Sequence, residues 1–258
     1  MALTPIFPTQ THRETAELTK EYFLRFSAVD TILVVNSCAR GDAVPESDLD
    51  MAILVKPGAD AMEIKNIEAG WRLYSEGLPE IINYKNSTPS ACLHVDVIDG
   101  RYEPGIMEKG GAPDYFEIEI GNQIRYSAFF GGSGSYFKEL QLKWLPYYEE
   151  GLRIERLAMT KNACEYDLHH IPFYAKRGLY FHAFDRLYIA FQKLIQAVFI
   201  SGKVYPISYT KWIRLQVEAW LGRPDLYAML PSIISVSDIE SHEVNQKVKL
   251  IKDLLLTI

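Results

Sequence analysis

Val34-Val35-Asn36-Ser37-Cys38-Ala39-Arg40-Gly41, followed shortly by Ser47-Asp48-Leu49-Asp50-Met51-Ala52-Ile53-Leu54, decides how this chain is read. Thr31 to Val35 is apolar and β-branched and predicts a buried strand. Asn36 to Ser47 is small, polar and turn-rich, broken by Gly41 and Pro45, and Leu49 to Val55 predicts a second strand. Side chains on a strand alternate faces, so Asp48 and Asp50 project to one side while Leu49, Met51 and Ile53 project to the other. Two carboxylates on one face repel unless a cation sits between them, and oxygen-only ligation suits a hard ion such as Mg²⁺.

A third carboxylate, Asp96, lies in His94-Val95-Asp96-Val97-Ile98, within a predicted strand from Leu93 to Ile98. An aspartate between valines is costly if buried alone, and it becomes sensible if this strand neighbours Leu49 to Val55 and Asp96 joins the same metal cluster. Two ions ~3.5–4 Å apart would then serve one reaction. Asp99 is the alternative third carboxylate, but it stands before Gly100 and reads better as a turn cap. Upstream, a strand ending in a small-residue turn that opens a short helix makes an anion site. Ser37 supplies a hydroxyl with little bulk. Arg40 is in reach of a phosphate oxygen or, alternatively, of Asp42 or Glu46.

Around this segment, Thr11 to Phe26 and Ala61 to Glu76 predict helices, and Phe116 to Ile120 with Gln123 to Tyr126 predicts a hairpin turning at Gly121-Asn122. Gly131-Gly132-Ser133-Gly134-Ser135 marks a domain junction. Beyond it strand signals nearly vanish. Leu152 to Leu168, Ala175 to Ser201, Tyr209 to Leu221 and Glu240 to Leu256 predict helices, with Pro172, Pro206, Pro224 and Pro231 between or near their ends. The architecture expected is an α/β N-terminal half followed by a helical C-terminal half. Tyr180, Phe181, Phe184, Tyr188 and Phe191 lie at helical spacing and are expected in the core.

Composition narrows the function. The chain has 258 residues, a formal net charge of −6 and three cysteines. The acidic balance argues against gripping a nucleic acid backbone. No cysteine pair has CxxC spacing, so neither zinc nor a disulfide framework is expected, and cytoplasm is the default compartment. His169-His170 carries no metal reading, because adjacent histidines on a helix point apart. Met1 to Arg13 has no apolar core after a basic start, so no signal peptide is expected. Gly178 to Ile200, the most apolar stretch, is broken by Asp185, Arg186 and Lys193 among others, and reads as a buried helix rather than a membrane span.

The motifs Ser37-x-Ala39-Arg40-Gly41 and Ser47-Asp48-x-Asp50, with a later strand Asp, resemble the DNA polymerase beta-like nucleotidyltransferase superfamily, in particular its small bacterial, antibiotic-type and uncharacterised members. The family's turn carries a glycine before the serine, where this chain has Asn36; asparagine tolerates left-handed backbone angles better than most residues. The resemblance implies an α+β (α/β) catalytic domain over residues 1–132, with a mixed sheet and flanking helices, and an all-α helical domain over residues 133–258. It implies metal binding and catalysis by Asp48, Asp50 and Asp96, with two Mg²⁺ ions, and triphosphate contact by Ser37, beside which Arg40 is the further nucleotide-binding candidate. The helical half, through Arg177-Gly178-Leu179-Tyr180, Val204-Tyr205-Pro206 and Lys211-Trp212-Ile213, is similar to the closing domain of such enzymes, which by analogy places Lys193 and Lys211 near the triphosphate.

The activity so implied is transfer of a nucleoside monophosphate, AMP from ATP by family analogy, to a hydroxyl of a small-molecule acceptor. The acceptor hydroxyl is deprotonated either through metal coordination, with its proton going to solvent, or by a base, for which Asp96, Asp185 and Glu165 are candidates. Nucleotidylation of a protein or tRNA end, and a non-catalytic nucleotide-sensing or partner-binding module, are the competing readings. Acceptor, base preference and oligomeric state stay open at this level.

Overall fold

Residues Val29–Val34 form β1, buried along its whole length. In the computed structural model, which describes residues 3–87, 92–106 and 108–258, this strand lies inside a four-stranded mixed sheet of order β3-β2-β1-β4. The strands β2 (Leu49–Val55), β3 (Leu93–Ile98) and β4 (Ala128–Gly132) complete it. β1 runs antiparallel to β2 and to β4, whereas β2 and β3 are parallel. A parallel pair needs a crossover, and α3 (Ala61–Glu76) with α4 (Pro79–Ser87) falls between those two strands. α1 (Gln10–Phe23), capped by the Thr9 hydroxyl, supplies Ala16 and Phe23 to a core that also takes Leu49, Met51, Ile53, Ile67, Trp71 and Ile81. One face of β2 is thereby consumed. A short helix α2 (Asn36–Arg40) links β1 towards β2 and ends at Gly41, which is left-handed at φ 81°.

The chain divides into two units, Met1–Tyr102 with Glu119–Pro146, and Glu103–Ile118 with Tyr147–Ile258. The junction expected at 132/133 therefore lies inside the first unit. The reason is Asp30, a buried carboxylate on β1. Gly134, left-handed at φ 69°, stands at the N-cap of α6 (Ser135–Trp144) with no side chain to cap it. Asp30 takes over that task, accepting from the Ser133 hydroxyl and the Phe137 amide, and from Thr31 Oγ1 at 2.6 Å. Gly131 to Ser135 is an anchored corner.

The hairpin expected over Phe116 to Tyr126 is helical: α5 (Phe116–Ile120) continues into a π-helical turn, Gly121–Arg125. Phe116, Ile120 and Ile124 are all buried, and their spacing of four is the helical period. That periodicity outweighs the Gly121-Asn122 turn signal.

In the second unit, α7 (Glu150–Lys176) and α8 (Tyr180–Gly202) are joined through Arg177–Leu179 and pack together, burying Leu168, Ile171, Ala175, Leu187 and Leu194. α7 runs straight through Pro172, although an interior proline costs a backbone hydrogen bond; burial of the flanking Leu168, Ile171 and Ala175 carries the helix past it. The predicted helix from Tyr209 is reduced to one turn, α9 (Ile213–Leu215), and a π-helical turn Gln216–Trp220. α10 (Pro224–Ile234), unforeseen, encloses Pro231, and α11 (Val244–Leu255) closes the unit. Of the aromatics expected in the core, Phe181 is 68% and Tyr188 36% exposed, while Phe191 is buried. Among the described residues no helix is long and apolar enough to cross a membrane.

Two buried ionic networks organise this unit. Arg156 donates to Glu117 through Nε at 2.6 Å and to Asp114 through an Nη atom at 2.8 Å, and Gln196, Tyr148 and Tyr209 donate to the same carboxylates. Lys193 pairs with Asp167 at 2.6 Å, and Arg186 with Asp167 at 3.2 Å.

Two stability predictions follow from these contacts. Asp30→Ala is expected to cost about 2–3 kcal/mol by chemical denaturation at neutral pH. Burial raises the Asp30 pKa, but the hydrogen bonds from Ser133, Thr31 and the Tyr136 and Phe137 backbone outweigh it and hold the folded value below the ordinary one. The stabilisation is therefore full above the unfolded-state pKa, and the gap between wild type and variant closes as pH falls through the folded-state value. Arg156→Met, which leaves two buried carboxylates unpaired, is expected to cost about 3–5 kcal/mol in the same measurement.

Candidate metal and phosphate site

The register of the parallel pair decides what stands beside the paired aspartates. Asp50 lies opposite His94, and Ala52 opposite Asp96. Residues paired across a sheet share a face, and so do residues two apart on one strand. Asp48, Asp50, His94 and Asp96 therefore occupy one face at the start of β2 and β3, the face turned away from Leu49, Met51 and Ile53. The alternation along β3, with His94 and Asp96 exposed and Val95 and Val97 half-buried, says the same. Asp99 accepts the Arg101 amide at 2.9 Å and precedes Gly100 at φ 73°, a turn-capping role.

The carboxylates feel one another. Burial raises the Asp50 pKa first; the Asn36 hydrogen bond and His94 pull it down, and Asp48 and Asp96 push it up, leaving it above the ordinary range. Cys38, at the back of the site, is lifted to about 12 by burial and then by Asp50.

Asn36 accounts for the turn. Its φ is 55°, the left-handed region in which asparagine substitutes for glycine. Its side chain hydrogen-bonds Asp50, and the neighbouring Val35 amide donates to the Asp50 carbonyl at 3.0 Å. Asn36 thus holds a left-handed backbone angle and adds a contact to the central carboxylate. Ser37 is half-buried beside it, its carbonyl accepting the Gly41 and Asp42 amides that close α2.

Each of the remaining candidates has its own local setting. Arg40 is 10% exposed and donates to Asp42 at 3.2 Å, so its head is engaged in the ion pair weighed as the alternative. Lys193, expected near a triphosphate, is wholly buried and held by Asp167 and the Glu108 carbonyl; its charge balances a core carboxylate. Lys211 is exposed, and the adjoining Trp212 is 52% exposed in a left-handed conformation. Asp185 and Glu165 are exposed residues of the second unit.

Four residues of the site escaped sequence reasoning. His12 and Tyr84, both buried, meet edge to face, and each bonds the Ser47 carbonyl, His12 at 2.9 Å and Tyr84 at 3.4 Å. Tyr84 Oη also reaches the Cys92 carbonyl at 3.3 Å, tying the entries of β2 and β3 together. Cys92 and His94 stand next to Asp48, whose Oδ1 accepts the Cys92 amide at 2.6 Å and whose Oδ2 lies 3.9 Å from His94 Nε2. Only the parallel register brings residue 92 to residue 48, and no local pattern encodes that.

No protein-family model matches the chain, and no curated protein is significantly similar to it.

Because folding raises the Asp50 pKa, its ionised form costs stability at neutral pH, and that cost falls away as pH drops through the folded-state value towards the unfolded one. Asp50→Asn removes the charge at constant shape. Its melting temperature at pH 7 without divalent ions is expected to exceed that of wild type by ~2–4 °C, the shift made by about 1 kcal/mol in a chain of this size. The difference should shrink on acidification; a lower melting temperature would contradict the assigned repulsion.

Proposed function

We propose that this chain is a Mg²⁺-dependent nucleotidyltransferase, moving a nucleoside monophosphate from a nucleoside triphosphate to a hydroxyl of a small-molecule acceptor. The observation that carries the reading is the convergence of Asp48, Asp50 and Asp96 on one sheet face beside the Asn36–Ser37 turn. Carboxylates gathered against their own repulsion, one of them half-buried, fit a hard divalent cation better than any structural role. Asp48 and Asp50 would hold the metal and Asp96 would complete the site. When bound, the metal supplies charge neutralisation at the phosphates and acidifies the acceptor hydroxyl.

The protein's own part is positional. Asn36 keeps the turn left-handed and steers Asp50, so the carboxylate and the Ser37 hydroxyl meet the substrate as one rigid surface. Ser37 offers a small donor where phosphates approach. Asp96, exposed at the end of the row, would accept the acceptor proton. In the reaction the acceptor oxygen forms a bond to the α-phosphorus, the bond from that phosphorus to the β-phosphate bridging oxygen breaks, and pyrophosphate leaves. ATP is the favoured donor through the resemblance of the turn and the Asp-x-Asp strand. A small acceptor agrees with the formal charge of −6, since a nucleic acid acceptor calls for a basic track.

The test is a calorimetric titration with a non-hydrolysable ATP analogue, with and without Mg²⁺. Binding to wild type is expected only with the metal, and an Asp48→Asn/Asp50→Asn double variant should lose it at unchanged fold. Absence of binding for ATP, GTP, CTP and UTP analogues alike would overturn the reading in favour of a partner-binding scaffold.

A further inference from the structure

The magnesium reading uses only oxygen donors, yet the end of the acidic row carries a sulfur and a nitrogen. One donor atom each from Asp48, Cys92 and His94 lie within 4.8 Å of one another. We propose that these three residues form a zinc-binding site at the mouth of the acidic cluster, with Asp48 shared between the two sites. The zinc site does not depend on the nucleotidyltransferase reading.

The histidine–carboxylate pair stands close to what zinc requires, and the Cys92 sulfur lies within 4.8 Å of both donors. Bond lengths of ~2.3 Å to sulfur and ~2.0–2.1 Å to nitrogen and oxygen set neighbouring donors of a tetrahedron ~3.3–3.6 Å apart. His94 Nε2 and Asp48 Oδ2 stand at 3.9 Å, so rotamer adjustment of a few tenths of an ångström closes the pair. The carboxylate is already oriented, because Oδ1 is tied to the Cys92 amide at 2.6 Å, which leaves Oδ2 facing the histidine. A hydrogen bond of this kind, made to a ligating carboxylate, is the usual outer support of a metal site. The Cys92 backbone is fixed in turn, since its carbonyl accepts from the buried Tyr84 hydroxyl and from the Leu49 amide at 3.0 Å.

The donor set selects the metal. A thiolate and an imidazole suit Zn²⁺ and bind Mg²⁺ poorly, whereas Asp50 and Asp96 offer oxygen alone. All three ligands are solvent-accessible: Cys92 is exposed, and the His94 and Asp48 side chains are 54% and 45% exposed. Three protein ligands leave a fourth position open to water or a ligand atom, the arrangement of zinc sites that do more than hold a fold. Zinc binding would release the Cys92 thiol proton to solvent as the metal–sulfur bond forms. Occupation also claims Asp48, so zinc and a magnesium ion held by Asp48 compete.

The experiment uses the full chain. Zn²⁺ is titrated calorimetrically against a competing chelator, and Co²⁺ is added separately as a spectroscopic stand-in. One zinc per chain is expected, with a sulfur-to-cobalt charge-transfer band. Cys92→Ser should abolish the band, and Cys92→Ser, His94→Ala and Asp48→Asn should each weaken zinc by at least about tenfold, no less than the loss of a supporting residue usually costs. Cys92 and His94 are surface positions, so the folded state of their variants is checked by the melting curve. Cys38 and Cys164, both buried, remain as internal thiol controls. A charge-transfer band that survives Cys92→Ser, or zinc affinity unchanged within twofold in that variant, overturns the proposal. If nucleotide binding is never detected, the cobalt spectrum still reports on the zinc site, so the two readings fail separately.

Discussion

Everything on the acidic face depends on one pairing, the parallel alignment of β2 with β3. Slipping β3 by a single residue would turn His94 and Asp96 to the opposite face and drive Val95 and Val97 into solvent. The register is secured at its open end, where a buried tyrosine bonds the carbonyls of Ser47 and Cys92 and a buried histidine bonds the first of them again. Apolar burial of Leu49, Met51 and Ile53 then prevents the slip from the other side of the sheet. The catalytic reading and the zinc reading are both consequences of this alignment, since each draws at least one residue from β2 or its entry and at least one from β3 or its entry.

The two units handle charge in opposite ways. In the first, like charges are assembled with only partial compensation from Asn36 and His94, and Asp50 is held above its ordinary pKa by burial and then by Asp48 and Asp96. Such an arrangement stores unfavourable energy that a bound cation would relieve, the pattern expected where stability is given up for binding. In the second, buried charges are matched: Arg156 faces Glu117 and Asp114, and Lys193 faces Asp167. Matched buried pairs contribute little net stability over a hydrophobic equivalent, but they penalise every arrangement that leaves one partner alone. They read as devices that specify packing.

Local patterns carried a large part of this structure. The β-branched run at β1, the apolar run of β2 and the Leu93–Ile98 strand were visible because each is a short stretch with its own composition. The coplacement of Asp48 and Asp50 needed only the two-residue period. What escaped was non-local. A turn dipeptide at Gly121-Asn122 was misleading because the four-residue spacing of Phe116, Ile120 and Ile124 finds a core. Pro172 and Pro231 lie inside helices whose flanking residues are buried deeply enough to tolerate them. Lys193 looked like a free cation in an apolar helix; its partner Asp167 comes from the preceding helix, and no periodicity announces that pair. Cys92, next to nothing acidic in sequence, needed the register to meet Asp48.

The second unit is discontinuous, since Glu103–Ile118 belongs to it while the chain from Glu119 to Pro146 belongs to the first. Synthesis therefore delivers Asp114 and Glu117 well before Arg156, which neutralises them, and Gln196, which donates hydrogen bonds to them. Until α7 and α8 have been made, that early segment has no destination and its acids remain in water. The helices in turn, if expressed from Tyr147 onward, would carry Arg156 without its carboxylates and Lys193 without the Glu108 carbonyl. The C-terminal half is thus not a module that can be cut away or exchanged between chains by a single crossover; it travels with Glu103–Ile118, a segment that follows β3 in the chain and runs into α5.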